Sequence, residues 1–238
     1  RPGQSIYQTT YRDFFAPESV LTPDGRRVMW AWLTTLDGVG SLSLQSLPRE
    51  LRLDSAGALR IKPLSELESL RTDPEKVVDL MVTPPEAAHG NEATAPIATL
   101  ASEAYEIRIE VSREQAIRKR FGVQLFADAD HAGLEVMIRP ETGTLRVGDT
   151  DAPFAVAELP PQEDVEIRLF VDKYLVEVFV NERQAIVATY LEYEAARELL
   201  AYSYGDPTLF RSVEIWKMKA TNQGFLEARD SRIWAPTV

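Results

Sequence analysis

The sequence predicts an all-β protein whose larger part is a two-sheet antiparallel β-sandwich. Many short runs alternate apolar and polar residues, turn residues separate these runs, and no glycine-rich strand-to-helix turn of a nucleotide-binding fold occurs. The 238 residues are 45% hydrophobic and include no Cys, which excludes disulfides and thiolate chemistry. Such a chain is long enough for one large core or two smaller domains.

Charge and hydropathy exclude two classes of partner. The net charge of −11 argues against nucleic acid, because binding a phosphate backbone needs a basic face. The longest apolar run, Val28 to Leu33, is far shorter than the ~20 residues of a membrane span, so no membrane partner is expected. With His89 and His131 as the only histidines, a triple-His metal centre is impossible, and we expect neither metal nor cofactor. The chain starts at Arg1 rather than Met, so we expect a trimmed or cleaved product.

The first part of the chain predicts three strands and a connector. The strands are expected over Phe14 to Leu21, Val28 to Leu33 and Ser41 to Leu47. Pro63 to Arg71 carries apolar residues at the spacing of a short helix with Pro at its start. Thr83 to Pro96 is rich in Pro, Ala and Glu and is interpreted as a surface loop.

The remainder predicts the sandwich. Tyr105 to Val111 alternates strictly, and the other expected strands are Phe121 to Ala127, Leu134 to Ile138, Val165 to Val171, Leu175 to Val180, Ala185 to Tyr190 and Ser212 to Met218. Alternation places these residues in the core: Ile107, Ile109, Val123, Leu125, Ile167, Leu169, Val176 and Val178. Glu194 to Leu200 is expected to be a short helix or loop.

Two groups of acidic residues have competing interpretations. Asp128 and Asp130 could begin a calcium loop, but the series of ligands stops there, so a hairpin turn with His131 exposed is favoured. Asp172 and Glu177 are expected on facing strands, and a cross-strand charge network with Arg168 or Arg183 is favoured over a sugar-binding role.

Seven segments, taken in order, are more specific than the fold class: Asp13–Pro17 (DFFAP), Gly25–Leu33 (GRRVMWAWL), Ser46–Leu51 (SLPREL), Leu59–Pro63 (LRIKP), Leu169–Lys173 (LFVDK), Val176–Asn181 (VEVFVN) and Val213–Trp216 (VEIW). They resemble the end of glycoside hydrolase family 32, the invertase, levanase and inulinase family. The resemblance implies the last blade of a five-bladed β-propeller over residues 1–72, followed by a C-terminal β-sandwich over residues 73–238. The family's W-M-N-D-P-N-G, R-D-P and E-C segments, which carry its catalytic carboxylates, do not occur in this sequence.

The resemblance therefore implies the C-terminal part of a β-fructosidase-like enzyme, with scaffold and pocket wall but no catalytic residues. Asp13 and Trp32 are the implied substrate-binding residues, and core packing is an equal alternative for Trp32 and the favoured one for Trp30. Asp13, Glu18 and Glu50 are the nearest candidates for a carboxylate pair. We favour structural roles for them: a strand entrance for Asp13, a solvated face for Glu18 and an ion pair with an arginine for Glu50.

The implied partners are a fructoside substrate and a further polypeptide, either a missing N-terminal propeller half or a second copy. That polypeptide is expected to cover an apolar blade face that includes Phe14, Phe15, Val28, Trp30 and Trp32. An extracellular or periplasmic location is also implied. The alternative function is a non-catalytic carbohydrate-binding or structural β-sandwich module.

Overall fold

The computed structural model describes residues 6–8, 13–34, 44–85 and 92–220. Their strands form three sheets, of which two make a sandwich and the third makes a blade beside it. The predicted all-β fold class is confirmed. In the described ranges, no helix combines the length and the apolar character that crossing a bilayer requires.

The blade is a five-stranded antiparallel sheet, in which four strands follow the order β2-β3-β5-β6 and β4 pairs with the end of β3. Its strands are β2 (Asp13–Leu21), β3 (Arg27–Thr34), β4 (Leu44–Gln45), β5 (Arg49–Leu53) and β6 (Leu59–Pro63). Only three strands were expected here, so β5 and β6 correct the prediction. Both strands are five residues long and contain Arg, Glu or Lys. These charged residues obscure the alternation of apolar and polar residues by which a strand is predicted from sequence. Residues 41–43 of the third expected strand lie outside the described ranges.

The connector is a single 3-10 helix, Ser65–Leu70, which confirms the short helix expected there. Strand β7 (Arg71–Val82) follows without a loop. The chain therefore passes directly from the blade into the sandwich.

The sandwich contains twelve further elements: β8 (Glu92–Thr99), β9 (Ala104–Val111), α1 (Arg113–Ala116), β10 (Phe121–Ala127), β11 (Leu134–Arg139), β12 (Thr144–Val147), β13 (Thr150–Pro153), β14 (Val165–Asp172), β15 (Leu175–Val180), β16 (Gln184–Thr189), β17 (Glu198–Tyr204) and β18 (Thr208–Met218). A short 3-10 turn, Val156–Glu158, lies between β13 and β14. The seven-stranded sheet has the order β1-β16-β15-β14-β9-β18-β7, and the six-stranded sheet has the order β13-β12-β11-β10-β17-β8. Strand β1 (Ile6–Gln8) joins the edge of the larger sheet in parallel with β16.

The core lies between these two sheets and follows the predicted alternation. All eight expected core residues, from Ile107 to Val178, are at most 1% exposed. Because both faces of several strands are covered, β10, β15 and β16 are buried along their whole length.

Two segments contradict the sequence prediction. Residues 92–96, expected in a loop, belong to β8 (Glu92–Thr99), an edge strand whose small side chains are mostly half-buried. The segment Glu194 to Leu200 was expected to be helical or irregular, but from Glu198 it belongs to β17. Pairing with β10 on one side and β8 on the other stabilises β17, and this long-range pairing leaves no local pattern.

One face of the blade packs against the outer face of the seven-stranded sheet. Ile61 and Leu67 join Phe170 and Phe179 in one buried cluster, and Leu33 joins a second cluster with two sandwich residues, Leu175 and Val187. This corrects the expectation that the blade's apolar residues need another polypeptide throughout. Phe14 packs against the second cluster, and Val28 is only 5% exposed although it lies on the Trp30 face of β3.

Candidate functional site

A bulge between β2 and β3 shapes the exposed side of the blade. Phe15 pairs with Trp32 and Glu18 pairs with Trp30, and the register shifts between these two pairs. Ala16, within the bulge, has a left-handed backbone with φ of 45°. The one extra residue bends β2, and Trp30 and Trp32 lie on one face of β3, as their spacing predicts.

The two faces of β3 differ sharply. Ala31 and Leu33 are 1% and 0% exposed and face the sandwich, whereas Trp32 is 47% exposed. The ring of Phe15, 56% exposed, meets Trp32 edge to face with centroids 6.0 Å apart. Trp32 therefore presents an aromatic surface to solvent instead of filling the core.

A shallow cavity of about 400 Å³ surrounds Trp32. Its lining residues are Ala16, Glu18, Trp30, Ala31, Trp32, Leu44 and Gln45. Ser46 fixes β4 at its edge, because its Oγ accepts the Ala31 N–H at 3.0 Å and its own N–H donates to the Ala31 carbonyl at 2.9 Å. Aromatic faces beside a carboxylate and an amide can bind a neutral polar ring.

Asp13, the other expected binding residue, is the first residue of β2 and pairs through its backbone with Thr34. This places it at the same end of the sheet as the Phe15–Trp32 pair. Its role in binding stays a prediction.

The remaining candidate carboxylates do not form a pair. Glu18 is exposed on β2 and pairs with Trp30, while Glu50 on β5 pairs with Val28. Two strand spacings and two residues along β3 therefore put their backbones roughly 11–12 Å apart. Glu50 has two cationic neighbours, Arg26 at 3.8 Å and Lys62 at 3.5 Å. As expected, Glu18 lies on a solvated face and Glu50 lies beside an arginine.

The junction between blade and sandwich contains a fully buried ion pair that the sequence analysis missed. Arg49 of β5 donates from Nη2 to Glu177 of β15 at 2.5 Å, with both side chains at most 2% exposed. The second oxygen of Glu177 accepts the Leu47 N–H at 2.6 Å. The guanidinium carbon also lies 4.6 Å and 5.0 Å from the ring centroids of Phe14 and Phe179.

The charge network expected around Asp172 and Glu177 is therefore wrong. Arg168 donates to the buried Glu106 at 2.6 Å, and Arg183 pairs with Glu163. The Glu177 side chain points toward the blade, where it contacts Arg49 and the Leu47 N–H. The partner is 128 residues away in the chain, beyond the reach of any local pattern.

A larger cavity of about 510 Å³ lies along the same junction. It is lined by residues of both units, including Gln45 and Leu47 from the blade side and Tyr105 and Asp172 from the sandwich. Burial raises the pKa of Asp172, and the charge of Lys173 opposes this effect. Gln45 lines both this cavity and the one around Trp32, and the other lining residues of the two cavities differ.

The hairpin between β10 and β11 has the predicted turn. Asp128 Oδ1 accepts the N–H groups of Asp130 and Ala132, both at 2.9 Å, and His131 is exposed as expected. The Asp128 carboxylate thus shapes its own turn. His89 lies outside the described residues.

Comparisons with known proteins agree with this architecture. Residues 66–217 match the family model described as glycosyl hydrolases family 32 C terminal. A probable sucrose-6-phosphate hydrolase of Psychromonas ingrahamii is 29% identical over 185 residues, which cover 74% of this chain and 31% of that protein. A raffinose invertase of Escherichia coli is 27% identical, over 87% of this chain and 42% of that protein.

Solved structures show the same fold. Fructan 1-exohydrolase IIa from Cichorium intybus matches with a TM-score of 0.64 and 18% identity, over 88% of this chain and 48% of that one. A variant of that protein has been solved in complex with 1-kestose. The chain spans less than half the length of these relatives. Since the family model covers well over half of its residues, this chain belongs to glycosyl hydrolase family 32, through the C-terminal region of that family.

Proposed function

We propose that this chain is the C-terminal part of a β-fructosidase-like glycoside hydrolase whose complete form hydrolyses fructosides such as sucrose or fructans. The relatives named as sucrose-6-phosphate hydrolase and raffinose invertase, and the structure that contains 1-kestose, support this substrate class. In this proposal the chain contributes scaffold and one wall of the substrate pocket.

The exposed Trp32 is the observation that carries the proposal. Its ring is braced by Phe15 and bordered by Glu18 and Gln45, a combination that can stack on a sugar ring and accept or donate hydrogen bonds at its edge. Trp32 lies on the open face of β3, whereas Leu33 on the same strand is covered by the sandwich. Asp13, at the same end of the sheet, completes the proposed wall.

The catalytic carboxylates of the retaining mechanism would come from a polypeptide that covers this wall. A retaining glycosidase needs two carboxyl groups about 5–5.5 Å apart, one as nucleophile and one as acid/base. Within the described part of the chain, β2 pairs only with β3, and exposed apolar residues lie along it, including Phe15, Val20 and Leu21. Such an edge pairs readily with a neighbouring sheet, and we assign this place to the N-terminal propeller half.

Activity and assembly test the proposal together. The purified 238-residue chain should not hydrolyse sucrose, raffinose, inulin or levan, and light scattering with intact-mass analysis should show either a second polypeptide or self-association. Turnover by the isolated chain that disappears in Asp13→Asn would place the catalytic group in this chain and refute the proposal.

The pocket wall is tested in the assembled enzyme. Trp32→Ala should raise KM far more than the matched surface change Leu53→Ala, since Leu53 is an exposed apolar residue of the same sheet. Equal kinetics for both variants would remove Trp32 from the site. An assembly that binds sugar but never hydrolyses it would favour the non-catalytic binding module.

A further inference from the structure

The carboxylate of Glu18 gives the cavity around Trp32 a negative charge. Within the described ranges, Glu18 is the one charged residue that lines this cavity, and its neighbours there are neutral. Its side chain is exposed, and it takes part in no ion pair or hydrogen bond with another described residue. No cation of the described wall therefore compensates this charge.

The bulge in β2 is what puts a carboxylate at this position. Phe15 pairs with Trp32, so a regular antiparallel ladder would put Pro17 opposite Trp30. The extra residue shifts the register by one, and Glu18 takes that place instead. Paired residues share one face of a sheet, so the Glu18 side chain lies on the same face as both tryptophans.

The cations of the blade lie elsewhere. The described blade residues, 13–34 and 44–63, include five Arg and one Lys, and none of these six lines the cavity. Five of them pair with carboxylates: Arg26 with Glu66, Arg49 with Glu177, Arg52 with Glu182, Arg60 with Asp54 and Lys62 with Glu50. The sixth, Arg27, donates to the Ser19 hydroxyl at 3.0 Å. It lies five residues before Trp32, which is roughly 17 Å along β3 and on the opposite face.

A phosphorylated sugar needs the opposite environment. Its phosphate carries about 1.5 to 2 negative charges at neutral pH, and proteins bind such groups with Arg, Lys or the backbone N–H groups of a helix N-terminus. Two like unit charges about 4 Å apart in water already weaken binding about fivefold, and exclusion of water from a pocket increases this factor. The wall around Trp32 therefore disfavours a sugar phosphate.

A neutral sugar suits the same wall. Its hydroxyl groups can donate to the Glu18 carboxylate, and the Gln45 amide can donate and accept at the border of the cavity. Hydrogen bonds to a charged acceptor are stronger than those to a neutral one, so the charge of Glu18 favours a ligand that brings only donors. The apolar face of a sugar ring can stack on the exposed Trp32.

We infer that Glu18 is a specificity-determining residue, through which the wall around Trp32 selects unphosphorylated fructosides and disfavours sugar phosphates. This inference rests on the proposed function, because it assigns the charge of the substrate at the proposed pocket wall. Among the relatives, the names sucrose-6-phosphate hydrolase and raffinose invertase refer to a charged and to a neutral sugar. The charge of Glu18 assigns this chain to the neutral class.

Competition between sucrose and sucrose-6-phosphate in the assembled enzyme tests the role of Glu18. The ratio of the two kcat/KM values should favour sucrose about tenfold or more. Glu18→Gln keeps the size of the side chain and one acceptor, and it should reduce this ratio about fivefold, with a larger reduction in Glu18→Lys. Contributions of the covering polypeptide are the same in all these proteins and cancel in the comparison.

Salt and a matched variant separate repulsion by Glu18 from a structural effect. Added salt screens repulsion between charges, so it should reduce the preference for sucrose in the unmodified enzyme more than in Glu18→Gln. The control is Glu114→Gln, which changes the net charge equally at an exposed carboxylate of α1 and should leave the ratio unchanged. Thermal unfolding of each variant verifies that the fold is intact.

The outcomes distinguish this inference from the proposed function. An assembled enzyme that hydrolyses sucrose-6-phosphate at least as well as sucrose overturns the inference and leaves the proposed function intact. An unchanged ratio in Glu18→Gln overturns it in the same way, because the preference then has another origin. Hydrolysis of neither sugar refutes the proposed function itself, and the inference with it.

Discussion

Glu177→Gln should be strongly destabilising, because it removes the anion that faces a fully buried cation. Arg49 is 0% exposed and donates to Glu177 at 2.5 Å, so the variant leaves its guanidinium charge inside the junction with only aromatic rings around it. Breaking one side of a buried pair costs about 3–5 kcal/mol. For a chain of this size, this corresponds to a fall in Tm of roughly 6–20 °C. Thermal and urea denaturation measure the loss directly.

A double variant distinguishes the contribution of the ion pair to stability from that of the surrounding packing. Two of the three guanidinium nitrogens of Arg49, Nε and Nη1, have no hydrogen-bond acceptor, so the pair compensates its own burial poorly. The double variant Arg49→Met, Glu177→Leu should therefore regain most of the lost stability. The matched control is Glu182→Gln, which breaks the solvent-exposed pair with Arg52 at the same junction and should cost less than about 1 kcal/mol. Equal losses for Glu177→Gln and Glu182→Gln would refute the reasoning.

Three smaller predictions concern single positions. Gly122→Ala should lower the free energy of unfolding by about 3 kcal/mol or more, because the new Cβ would lie 1.9 Å from a backbone oxygen. The control Gly57→Ala, with φ of +75° and nothing within 4 Å, should lower it by only about 1 kcal/mol in thermal unfolding. Similar losses for the two variants would contradict this prediction. The hydrogen bond from Arg26 lowers the pKa of Glu66 to about 2. An NMR titration should therefore find the Glu66 carboxylate ionised well below its usual pH range, and its pKa should return toward 4.5 in Arg26→Gln. The contribution of this ion pair to stability is present above the usual pKa and is lost as the pH falls through about 2. Burial raises the pKa of Asp172, so its ionised form disfavours folding, and Asp172→Asn should stabilise the protein at neutral pH; this gain should vanish below about pH 3.9, and a gain that persisted there would exclude the ionised carboxylate as its cause.

The strands that sequence reasoning predicted best are those with a clear alternation and strong turns on both sides. Phe121–Ala127 and Leu175–Val180 match the observed β10 and β15 at both ends. Strand β8 was missed because its Pro, Ala and Thr residues are half-buried at a sheet edge, where neither face shows an apolar stripe. Its position depends on β17, which is itself stabilised by long-range pairing.

The site was less predictable than the fold, because it depends on contacts between distant segments. The Gly25–Leu33 motif pointed to Trp32, and the spacing of the tryptophans correctly put both on one face. Nothing near Glu177 in the chain indicates that it faces Arg49, since blade and sandwich meet only after both have folded.

The route of the chain through the seven-stranded sheet has a mechanical consequence. Strand β1 lies at one edge of that sheet and β7 at the other, and the whole blade is the stretch of chain between them. The blade is therefore anchored to the sandwich at both of its ends, through β1 and β7. Rotation of the blade relative to the sandwich would require one of these edge strands to detach. Domain motion during sugar binding should accordingly be small. Removal of β1 would convert this double attachment into a hinge, and would at the same time expose the edge of β16 to foreign strands.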